Sequence, residues 1–89
     1  MIELSATHIQ VVTLMVEGRF RGMSNDAIRS YMLKHMGQDN PYNLTQKGAI
    51  AFTQMLKENG YTWAQEWEEH QRIAEDHQKN LEQLKRANQ

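Results

Sequence analysis

Apolar residues recur at helical spacing through the first two-thirds of this chain and thin out in the last third. Near the start, Ile9, Val12 and Val16 stand at i, i+3 and i+7, with Val11, Leu14 and Met15 widening the stripe, and Ser5 offers a cap. That pattern predicts a first helix with Ile9, Val12 and Val16 on its apolar face, ended by Gly18 and the polar run to Gly22. Ser24 offers a second cap, before a helix that puts Ile28, Tyr31, Met32 and His35 or Met36 on one face. Gly37-Gln38-Asp39-Asn40-Pro41 is a dense breaker cluster. Tyr42-Asn43-Leu44 suits a very short strand or an extended link. Thr45 is then expected to cap a third helix with Ala49, Phe52 or Thr53, and Leu56 facing inward, and Gly60 to close it as a left-handed cap.

Beyond Gly60, Thr62-Trp63-Ala64-Gln65 reads as a capping box for a fourth helix. Neither Gly nor Pro follows it. Trp63, Trp67, His70, Ala74, His77, Leu81 and Leu84 step by alternating fours and threes, a heptad seam through which two copies could pair. The seam is uneven: Leu81 and Leu84 suit it, Ala74 is small, and His70 and His77 repel across it when protonated. The expected class is all-α, a compact helical body over residues 1–60 and a long C-terminal helix over 61–89.

Composition sharpens this picture. Of 35 apolar residues among 89, 26 lie in residues 1–56 and 9 in the rest, so the core belongs to the body and the end of the chain is a polar extension. One small core is all that such a length supports. There is no Cys, which excludes a disulfide scaffold, a thiolate metal site and a Cys nucleophile. The longest apolar run, Val11 to Val16, is interrupted by Thr13 and too short to span a bilayer, and Glu3 stands where a secretory leader carries positive charge. The expected location is cytoplasmic, with no membrane partner. The net charge of −1 conceals a split: six cations against four acids through residue 57, then four against seven. A mildly basic body on an acidic extension allows nucleic-acid contact by the body, or a solvated surface without electrostatic purpose.

One segment carries most of the functional signal. Tyr42-Asn43-Leu44-Thr45-Gln46-Lys47-Gly48, a Tyr-x-Leu-Thr-x-x-Gly run leading into the apolar helix from Ala49, resembles the strand-to-helix step that closes many small winged-helix regulators of phage and mobile elements. The preceding Ser24-Asn25-Asp26-Ala27-Ile28-Arg29-Ser30-Tyr31-Met32 is similar to a capped recognition helix. The resemblance covers roughly residues 5–60. It departs from the pattern by lacking one helix of the usual three-helix head, and by Gly37 to Pro41 where an apolar strand belongs, so any wing is vestigial. The resemblance implies a dimeric transcriptional regulator that binds double-stranded DNA. Asn25, Arg29 and Ser30 would then stand at the exposed start of the reading helix with Lys34 further along it, Arg19 and Arg21 would flank the turn, and Lys47 would join the cationic set. Asp26 complements the helix dipole but repels phosphate.

The remaining chemistry is sparse. His70 and His77 stand seven apart, too far for one helix to chelate an ion with both, so neither a metal nor another cofactor is expected. No phosphate loop, serine elbow or inward acid pair is present, so no catalytic residue is assigned and the chain is read as a non-enzyme. Trp63 and Trp67, after Tyr61, form an aromatic patch that docks the last helix on the body or anchors a partner. The six Met residues favour an adaptable core. The second reading of function is accordingly a small phage-type adaptor or inhibitor that blocks a host protein through the Trp patch or the acidic C-terminal helix.

Overall fold

The computed structural model describes the backbone of residues 4–87 and the side chains of residues 4–83. It is all-α: three α-helices, His8–Phe20 (α1), Asn25–Met36 (α2) and Gln46–Ala87 (α3), with a 3₁₀ turn over Pro41–Asn43.

Local chemistry explains each boundary. The cap of α1 is Thr7 and not Ser5: the Thr7 hydroxyl accepts from the Gln10 N–H at 3.2 Å and the Gln10 side-chain oxygen accepts from the Thr7 N–H at 2.9 Å, a reciprocal capping box. The helix passes through Gly18 and ends at Phe20. There the Gly22 N–H bonds the Arg19 carbonyl and the Met23 N–H bonds the Gly18 carbonyl, both at 3.0 Å. These paired bonds form a Schellman ending that requires a positive φ at Gly22, found at 89°. Ser24 caps α2 as its sequence implies, with its hydroxyl accepting from the Ala27 N–H at 3.1 Å, and Gly37 closes α2 at φ 72°. Thr45 caps α3 by accepting from the Gly48 N–H at 3.0 Å. The Tyr42–Leu44 link is no strand. Among the described residues the single β pairing is a bridge from Ser5 to Thr45, flanked by bonds from the Ala6 N–H to the Leu44 carbonyl and the Gln46 N–H to the Leu4 carbonyl. It staples the N-terminal segment to the start of α3.

The core gathers Val11 and Leu14 of α1, Ala27, Ile28, Tyr31 and Met32 of α2, and Ala49, Phe52, Leu56, Trp63 and Ala64 of α3, with Met23 and Leu44 from the connections. The inward faces of α2 and of the first part of α3 are those that the periodicity picks out. The face of α1 is not: Val11, Leu14 and Gly18 turn inward, whereas Ile9, Val12 and Val16 point to solvent.

The expected break at Gly60 does not occur. Helix α3 runs for 42 residues through Gly60 and through the Thr62–Gln65 segment, so the anticipated third and fourth helices are one. Gly60 is a contact and not a cap, since a Cβ there would stand 2.6 Å from Arg21 Cδ. Three residues further on, the Trp63 ring stacks on Tyr31 at 4.8 Å and on Phe52 at 6.2 Å between centroids. A helix that ended at Gly60 would lose that stack. From Glu68 to Gln83 every residue is exposed, so α3 leaves the body as an arm and accounts for the 61 Å long dimension of the molecule.

Truncating Trp63 removes the residue that joins α2 to the second half of the body segment of α3. Trp63→Ala is expected to cost about 3–5 kcal/mol, a large part of the stability of a chain this small. Urea unfolding followed by circular dichroism measures this, with Trp67→Ala, at a half-buried site, expected to cost less.

Candidate functional site

The least satisfied surface of the molecule is the outer face of α1. Ile9, Val12, Val16 and Phe20 are 77%, 45%, 58% and 74% exposed, on the side of the helix opposite Val11, Leu14 and Gly18. Thr13 lies within the same stripe, but its hydroxyl donates to the Ile9 carbonyl at 2.7 Å. With its polar atom spent on its own helix, Thr13 presents a methyl group much as a valine would. No charged residue interrupts the stripe. On one flank, Gln10 and Thr13 join Ala49, Ile50, Thr53, Gln54 and Lys57 of α3 around a groove of about 180 Å³. Ile50 beside it is exposed, and the Thr53 hydroxyl is likewise held by the Ala49 carbonyl at 2.7 Å. Surface helices of single-chain proteins carry apolar residues on one side, and a helix apolar on both sides is ordinarily covered on both.

The cationic residues singled out from the sequence do not form one face. Arg21 packs into the body: its guanidinium pairs with the Glu17 carboxylate, bonds the Glu17 carbonyl at 2.9 Å, and lies 5.8 Å from the Phe20 and Tyr61 ring centroids. Its surroundings are those of a structural arginine, with Gly60 making room for the stem. Arg19 donates to the Asn25 side-chain oxygen at 3.0 Å, which joins these two residues across the turn and occupies the oxygen that would accept from an adenine. Arg29, Ser30 and Lys34 are exposed on the outer face of α2, together with Asp26 and Leu33. Arg29 borders a depression of about 260 Å³ formed with Asp39, Asn40, Pro41 and Tyr42. Lys47 is exposed in the first turn of α3.

The residues of the expected seam divide. Trp63 is core, its face covered by Tyr31, Phe52 and His35, whose ring lies 5.0 Å away, so it is not available to a partner. Trp67 is half-buried on the edge of that core and lines a groove of about 380 Å³ with Met23, Ser24, Ala27, Gln71 and Arg72. His70, Ala74, His77 and Leu81 are exposed along the arm, as is Ile73, which sequence reading had not singled out; the side chain of Leu84 lies outside the described residues. Among the described residues, no three acidic or histidine side chains gather as a metal site would require. No described helix is long and apolar enough to cross a membrane.

One polar network ties the arm to the body. The Tyr31 hydroxyl, at the end of a buried ring, shares its one proton between the Trp63 carbonyl at 3.2 Å and the Glu66 carboxylate at 3.1 Å. At the other end of the body, His8 and Tyr42 are joined at 2.8 Å with their rings stacked. Burial pushes the Tyr31 phenol above its ordinary value, and the bond to Glu66 and its negative charge push in the same direction.

No protein-family model matches this chain, nor does any curated protein or solved structure.

The raised phenol has a consequence for alkaline stability. A proton held more tightly in the fold than in the unfolded chain contributes stability that is complete below pH 10 and is lost as pH climbs through the raised value. Ultraviolet titration of the three tyrosines should show one component above the ordinary phenol range, and Tyr31→Phe should remove it and flatten the alkaline fall in stability.

Proposed function

We propose that this chain is a non-enzymatic interaction module that binds protein through the outer face of α1. The observation that carries the reading is the uncharged stripe of Ile9, Val12, Val16 and Phe20, held on a capped and packed helix. Its four large side chains expose roughly 500 Å² together, within the range of about 300–600 Å² typical of a monomer's largest patch, which is often a functional one. Thr13 supports the same reading, because its only polar atom is already bonded within the helix. The reading belongs with the adaptor or inhibitor class, but it moves the contact from the Trp patch, which is partly consumed by the core, to α1. Immobilised wild type and a Val16→Glu variant, compared as baits in the same nuclease-treated extract, test it. Bound protein, a second copy of this chain included, that survives nuclease and is lost with Val16→Glu is the expected result. Capture indifferent to Val16, or abolished by nuclease, would sink the idea.

A second reading, DNA binding by a winged-helix-like regulator, is favoured by one feature. Helix α1, the turn at Gly22 and the Ser24-capped α2 follow one another as in a helix-turn-helix, with Arg29 and Lys34 on the solvent face of the second helix. Against it stand the engagement of Arg21 with Glu17, the Arg19–Asn25 bond, and Asp26 beside Arg29 on the same face. If α2 reads DNA, Arg29→Ala should relax sequence preference, and Lys34→Ala should weaken binding to all sequences and flatten the salt slope by about one unit. Gel-shift measurements on a fragment library at low salt decide this, and an absence of any retained fragment closes the DNA reading.

A further inference from the structure

The spacing of the α1 stripe identifies what covers it. We infer that the occupant is a second copy of this chain, packed α1 against α1 and antiparallel, an inference that rests on the reading of α1 as a protein-binding face.

The first reason is symmetry. Ile9, Thr13, Val16 and Phe20 are spaced four, three and four apart, an order that reads the same in both directions. A twofold axis between residues 14 and 15 then sets Ile9 against Phe20 of the other copy and Thr13 against Val16, with Val12 flanking. An antiparallel twofold interface needs this property, since residue i must then meet a different residue j, and j meet i, with both on the seam. The same four positions are also successive seam positions of a heptad, and in antiparallel pairs each kind of seam position meets the other kind. Such a seam packs at the shallow crossing angle of helical bundles.

The second reason is charge. In the antiparallel register the flanks of the seam set Arg19 near Val12 of the other copy and Glu17 near its Gln10, so no like charges meet. Glu17 is in any case neutralised by Arg21 within its own chain.

The third reason is area. Two copies of the stripe withdraw about 1,000 Å² of apolar surface before their flanks are counted, the size at which specific interfaces separate from incidental contacts. The groove between α1 and α3 adds a receptor for the largest side chain. It opens at about 180 Å³ beside Thr13, Ala49 and Ile50, with Gln10, Gln54 and Lys57 also lining it, and roughly 150 Å³ is enough volume for a benzene ring. Phe20 of the second copy, arriving next to Ile9, is the ring on hand to enter it.

This pairing differs from a coiled coil of the C-terminal arms, and the two are separable. Sedimentation equilibrium of the full chain at tens of micromolar should find a dimer. Val16→Glu should make it monomeric while its helical circular dichroism stays that of the wild type, because Val16 is 58% exposed and outside the buried core. Leu81→Asp, on the exposed arm, should leave the dimer intact. Because the chain has no Cys of its own, orientation can be read by oxidising an equimolar mixture of Thr13→Cys and Val16→Cys chains. Antiparallel pairing predicts mainly the mixed disulfide, and parallel pairing predicts the two like disulfides. A monomeric wild type, a Val16→Glu variant that remains dimeric, a dimer dissolved by Leu81→Asp, or a predominance of like disulfides would each overturn the inference. Where the wild type is monomeric yet captures another protein in a Val16-dependent way, self-pairing fails and the binding face stands. Where capture is also indifferent to Val16, both fail.

Discussion

The stack of Trp63 between Tyr31 and Phe52 is the contact on which the architecture turns. Its ring centroid lies 4.8 Å from that of Tyr31 and 6.2 Å from that of Phe52, so one side chain links α2 to two successive parts of α3. Since Trp63 is beyond Gly60, the helix has to continue through that glycine for the core to close. The Tyr31 hydroxyl then engages the Trp63 carbonyl and Glu66, which holds the next turn in line. The arm is therefore the extension of a helix whose direction is set inside the core, and its residues from Glu68 to Gln83 need no packing of their own to be oriented.

Much of this was legible in the sequence where a single residue decides the outcome locally. Ser24, Gly37 and Thr45 act where they stand: a hydroxyl that reaches a free N–H, a residue that tolerates positive φ. The inward faces of α2 and early α3 were also legible, because each of these helices has polar residues on its other side. Gly60 and Thr62 misled for the opposite reason. Glycine inside a helix costs about 1 kcal/mol, and a Thr-x-x-Gln box describes a helix start when nothing else competes. Here burial of Trp63 and Ala64 competes and wins. Glycine at position 60 is required by a residue nearly forty positions earlier, since its missing Cβ leaves room for the Arg21 stem. No reading of local pattern contains that contact.

The charges show the same limit at the candidate site. Arg19, Arg21 and Arg29 lie close together in sequence, with the neutral Asn25 among them, and read as a cationic edge. The fold gives Arg21 to Glu17 and to two aromatic rings, and joins Arg19 to Asn25. What remains free on α2 is a short surface in which Arg29 and Lys34 share space with Asp26 and Leu33. A net positive count over a segment thus overstates the field it presents, because side chains that satisfy one another inside the chain are withdrawn from any partner.

Helix α1 is the case in which hydrophobicity could not choose a face at all. Val11, Leu14 and Met15 on one side and Ile9, Val12, Val16 and Phe20 on the other offer comparable apolar surface, and a half-turn about the helix axis would exchange them. Volume makes the choice. A Cβ at Gly18 would fall 2.6 Å from Ile28 Cδ1 and 2.7 Å from Ile28 Cγ1, so α2 approaches α1 at a distance that only glycine permits. Had α1 turned the other way, Val16 or Phe20 would meet Ile28, and the two helices would have to separate, leaving voids beside Ile28 and Leu56 that a close-packed interior does not tolerate. The close approach on the inside thus forces the larger side chains out. The exposed stripe of α1 is the other half of the same packing decision that builds the core, so which side of the helix faces solvent is fixed as firmly as the core itself.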